Sequence, residues 1–198
     1  MKKTVKALVL ITIAAFFLNN AAAQLKLPVI NGVTNDLKKV IEDYPNHFAS
    51  LIGEMITQNT QSTDYQCTFN ANGAEQTTVT RYSAKKEMYS WQALMLTTES
   101  FEKARQKFRS LFSQLNNLSV RIGHQASKLN GDYETPDEKK KFTTVLFSFD
   151  PPNEVLGKLK VEVTMEVQEP LQWAVKIIVY DREKEDNEKG KTEEEESR

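Results

Sequence analysis

The side chains best suited to chemistry are few in this chain of 198 residues: two histidines, His47 and His124, and one cysteine, Cys67. No His-x-x-x-His or Cys-x-x-Cys spacing joins them, so the sequence offers no recognisable zinc ligand set. The loop "NGDYETPDE" gathers Asp132, Glu134, Asp137 and Glu138. It lacks the regular ligand spacing of a calcium loop. A histidine base needs a nucleophile and an orienting acid beside it. His47 shares a helical face with Glu54 if Pro45 starts a helix, but no nucleophile is evident there. His124 continues the parity of Leu118, Val120 and Ile122, which suits a strand-end residue better than a base. No Gly-x-Ser-x-Gly elbow appears, and the seven glycines are scattered singly, with no phosphate-cradling loop. Paired carboxylates serve glycoside hydrolysis, yet nothing singles out one pair. The sequence therefore predicts no catalytic, cofactor or metal residue.

Cys67 lies in "DYQCTFN". Alternation along a strand puts Tyr65, Cys67 and Phe69 on one face. A lone cysteine between two aromatics packs as a small hydrophobe, and that is the expectation here. The alternatives are an intermolecular disulfide or a reactive thiol.

The two ends differ from the rest. Lys2, Lys3 and Lys6 precede an apolar run from Ala7 to Leu18, and Ala21, Ala22 and Ala23 follow. Those are the three parts of a secretory signal peptide, with cleavage expected between Ala23 and Gln24. The run is short for a membrane span, and no cysteine follows the cut to carry a lipid. The short basic start resembles a bacterial signal, so the expected location is periplasmic or extracellular, with no membrane insertion once the signal is gone. Residues 181–198 carry nine acidic and five basic side chains, a net charge of −4. With almost nothing apolar to bury, they read as a disordered charged tail. The three signal lysines then leave residues 24–180 at net zero, which argues against a nucleic-acid surface. The divisions expected are a signal at 1–23, one domain at 24–180 and the tail at 181–198.

Within the body, apolar residues recur at three-four spacing from Leu37 through Val40, Ile41, Tyr44, Phe48, Leu51, Ile52, Met55 and Ile56. Thr34 is the expected cap, and Pro45 predicts a kink or two helices in line. Strands follow at 63–70, 77–83 and 88–97, the first two joined by a turn at Asn72-Gly73. The third is apolar on both parities around Tyr89, Trp91, Ala93, Leu94, Met95 and Leu96, which predicts a central strand covered on both sides over part of its length. Ser100 is placed to cap a second helix with the stripe Phe101, Ala104, Phe108, Leu111, Phe112 and Leu115. Lys103, Lys107 and Arg109 lie off that stripe and Arg105 nears its edge. A basic face of this kind is either solvated or set against an anionic partner. Four strands are then expected, at 118–124, 142–150, 158–168 and 171–180, with a polar loop over 127–141.

The fold expected is α+β: about seven antiparallel strands with two amphipathic helices on one face, in the order helix-βββ-helix-ββββ. The function expected is an exported, non-enzymatic binding or interaction module of the cell envelope. Its partner would be an envelope protein or a small ligand. Tyr89 and Trp91 mark a candidate interaction surface. The alternative is a small hydrolase with a dispersed carboxylate and histidine site.

Overall fold

A computed structural model describes residues 32–83 and 88–181. The expected cleavage site at Ala23 and Gln24 and the tail beyond Asp181 lie outside those residues. Helix α1 spans Gly32–Asp43 and buries Val33, Leu37, Val40 and Ile41, its three-four stripe. It starts two residues before Thr34. Pro45 does not kink a continuing helix. It sits in a single 3-10 turn, Tyr44–Asn46, because its ring cannot follow a further α-helical turn. His47 and Phe48 then adopt left-handed φ of 53° and 56°, a conformation that costs a side-chain-bearing residue about 1–2 kcal/mol. Burial of the Phe48 ring offsets that cost. The reversal sends the chain through a second 3-10 turn, Ala49–Leu51, into strand β1, Ile52–Gln58. The helical register expected to continue through Met55 and Ile56 is thus overturned. Their side chains are 60% and 50% exposed on a strand.

Among the described residues nine strands form one antiparallel sheet in the spatial order β1-β2-β3-β4-β9-β8-β7-β6-β5. The others are β2 Ser62–Cys67, β3 Gln76–Tyr82, β4 Met88–Thr98, β5 Ser119–Ile122, β6 Gln125–Gly131, β7 Phe142–Asp150, β8 Leu159–Gln168 and β9 Gln172–Asp181. The order is therefore helix-ββββ-helix-βββββ, two strands more than expected. One addition is β1. The other comes from splitting 118–124: Gly123, at φ 59°, and His124 make a two-residue turn between Ile122 and Gln125, and β6 runs where a polar loop was expected. Asp181, assigned to the tail by composition, is the last residue of β9.

The double parity of β4 has a local cause. Leu94 pairs with Lys176, but the next partners are Leu96 and Val175, so the register shifts at Met95. One extra residue in a bulge moves the following side chains to the other face. Tyr89, Trp91 and Ala93 point to the helix side before it, and Leu96 joins Val175 there after it.

Helix α2, Phe101–Leu115, follows Ser100, whose Oγ accepts the Lys103 backbone N–H at 3.4 Å. Its stripe buries Ala104, Phe108, Leu111 and Leu115 against β4, β8 and β9. Those strands supply Trp91, Val161, Val163, Met165, Val175, Ile177 and Val179, all at or below 1% exposure. α1 packs on β5, and both helices join one apolar cluster on the same side of the sheet.

Candidate functional site

Among the described residues the chemically capable side chains form no cluster of three. His124 is exposed in its turn. His47 sits in the left-handed reversal, with its ring 6.2 Å from that of Tyr89, and Glu54 has gone to β1, so the pairing with His47 along a helix does not form. Cys67 is buried at the inward face of β2. Among the described residues no three His, Cys, Asp or Glu side chains group as a metal site, and no helix is long and apolar enough to cross a membrane. Ser100 and Lys103 have the Ser-x-x-Lys spacing of some acylating enzymes, but the Ser100 hydroxyl is engaged at the helix start. Trp91 is fully buried at the centre of the sheet and Tyr89 is half-buried beside it. The surface expected around this pair is therefore not available to Trp91, whose indole packs beneath the helices.

What the fold does bring together lies on the outer flank of α2. Gln106, Arg109, Phe112 and Ser113 follow Arg105 at steps of one, four, seven and eight residues, one face of a helix that borders the core stripe. Tyr133 and Thr135, from the segment after β6, form the opposite wall. Between them runs an open groove of about 470 Å³.

Its walls are fixed by packing. The Phe112 ring lies 4.9 Å from Tyr133 and 6.0 Å from Phe147 of β7. Tyr133 also meets Phe108 at 6.0 Å. The Asn116 side-chain oxygen, just past α2, accepts the Gly131 N–H at 3.2 Å. Gly131 is required there for space: a Cβ would come within 2.9 Å of Phe147 and Val145. Gly131 ends β6 paired with Phe147 of β7, two residues before Tyr133.

The charge of the groove is positive. Arg105 donates from Nη2 to Glu102 Oε2 at 2.6 Å, an exposed pair of the kind worth under about 1 kcal/mol. Arg109 has no ion pair among the described residues. Glu134 on the facing segment is taken by Lys140. The two guanidiniums, one turn apart, therefore offer planar donor forks suited to a carboxylate or phosphate, beside aromatic surface. On the opposite flank Lys107 is half-buried over the β2–β3 turn, and burial lowers its pKa against the attraction of Glu75.

The basic character of this helix is visible in the sequence; the aromatic wall is not, because Tyr133 is brought in from a segment that looks like polar loop. Comparison with known proteins finds no matching family model, curated protein or solved structure.

Proposed function

We propose that this protein is a non-enzymatic binding module of the bacterial cell envelope, and that the groove on α2 receives an anionic ligand. One observation carries the ligand class: Arg105 and Arg109 project into one groove with Phe112 and Tyr133, and Arg109 lacks an acidic partner among the described residues. A carboxylate or phosphate would take the guanidiniums, and an apolar portion would lie on the aromatic wall. Hydrogen bonds to charged groups contribute about 1.5–3 kcal/mol each, so the arginines are the main source of affinity. The envelope location rests on the signal-like sequence of residues 1–23.

Phenyl phosphate is a suitable probe because it combines both features. Amide chemical shifts of the mature chain, residues 24–198, should move at Arg109, Phe112, Ser113 and Tyr133 during titration. Arg105→Gln with Arg109→Gln should abolish those changes while leaving the rest of the spectrum intact. Binding that persists undiminished in the double variant would remove the groove from the function.

A further inference from the structure

We infer that the groove has an occupant within the same chain: the acidic run of Glu193, Glu194, Glu195 and Glu196. The inference rests on the anion-binding reading of the groove and adds a regulator to it.

Charge selects the two partners. α2 carries four cations, Lys103, Arg105, Lys107 and Arg109, against one carboxylate, Glu102. Residues 24–180 have no net charge, while residues 181–198 carry −4, densest in these four consecutive glutamates. Glutamate matches a guanidinium fork bidentately, and its methylenes suit the Phe112 ring beside Arg109.

Position permits the contact. Val179 pairs with Val161, and Val161 with Phe147. The Phe147 ring stacks on Phe112 at the groove. β9 therefore ends, at Asp181, near the level of the groove and two strands away from β7, a lateral offset of roughly 10 Å. Residues 182–192 supply the connection. Eleven residues reach at most roughly 35–40 Å when fully extended, well beyond that offset. The sequence thus places its acidic run within reach of the one helix flank that presents an arginine pair, at an effective concentration on the order of millimolar. A tethered competitor at that concentration, binding with a Kd of about 0.1 mM, raises the apparent Kd of a free ligand by about tenfold. The groove then admits only anions that outcompete the tail.

Two measurements separate this inference from the reading beneath it. The first places a nitroxide at Glu194→Cys in the mature chain, where Cys67 is buried and does not label. Broadening of the Arg109, Ser113 and Tyr133 amides in low salt, lost at about 0.5 M salt where the screening length falls to a few ångströms, is the expected result. Equal, weak broadening over the whole surface would overturn the tail as occupant. The second titrates phenyl phosphate into the mature chain, into the chain ending at Asp181, and into a full-length variant with all four glutamates changed to Gln. The two altered chains should bind about tenfold more tightly than the mature chain. Equal affinity in all three would overturn the regulation and leave the groove standing. Failure of the chain ending at Asp181 to bind the probe would instead overturn the groove itself.

Discussion

Phe112 and Tyr133 pack with their ring centroids 4.9 Å apart and their planes tilted by 45°. This contact joins the flank of α2 to the segment after β6 and makes one wall of the groove continuous with the core through Phe147. Phe112→Ala should cost about 2 kcal/mol, below the range for a fully buried ring because Phe112 is only partly buried. It should also loosen Tyr133. Urea unfolding would give the first quantity, and loss of phenyl phosphate binding at intact fold would report the second. Tyr133→Phe keeps the packing and should change stability by less than about 0.5 kcal/mol.

Ser100 holds the start of α2 through the Lys103 N–H. Ser100→Ala should cost about 1 kcal/mol, and Ser100→Asp should recover it, since a carboxylate also suits the positive end of the helix. Thermal unfolding followed by circular dichroism checks both. If the hydroxyl served instead in Ser-x-x-Lys chemistry, Ser100→Ala would abolish an activity without moving the unfolding midpoint.

Lys107 gives the fold a pH signature. Burial lowers its pKa in the folded state below 10.5, with Glu75 opposing. The folded chain therefore binds this proton less readily than the unfolded chain does. The resulting penalty is absent above the unfolded pKa, grows as pH falls through the interval below 10.5, and is fully present at neutral pH. Lys107→Gln should raise stability relative to the parent at pH 7, and the gap should narrow as pH approaches 10.5. Urea midpoints across that range would show it; a gap independent of pH would point to packing instead.

Cys67 should react with a thiol reagent such as Ellman's only as fast as the sheet opens. Its side chain lies in the apolar cluster, and a thiolate must be exposed to attack. Rapid stoichiometric reaction in buffer would contradict the burial; full reaction in concentrated urea is the control.

Much of the fold is legible where periodicity is strict. β8 alternates Leu159, Val161, Val163 and Met165 with polar residues and buries those four. α2 keeps its stripe and its cap. The misreadings have physical causes. Leu51, Ile52, Met55 and Ile56 preserve helical spacing by coincidence, while Pro45 and the left-handed pair His47 and Phe48 have already reversed the chain. β6 escapes notice because only Ser127 and Leu129 of its side chains are buried. The bulge at Met95 mimics burial on both faces. At the groove, Arg105 and Arg109 are legible as a basic helix face, but the wall at Tyr133 exists only through tertiary pairing of β6 with β7.

The sheet order carries a further consequence. Among the described residues β9 is the last strand in sequence and the fifth in space, and it bridges the meander β1–β4 to the meander β5–β8. A ribosome delivers the amino end first, so the keystone of the described sheet arrives after the eight strands it joins. Until residues 172–181 emerge, the chain holds two half-sheets with raw inner edges at β4 and β8. A stop codon only a few positions before the end of β9 would therefore strike the middle of the sheet and not its margin.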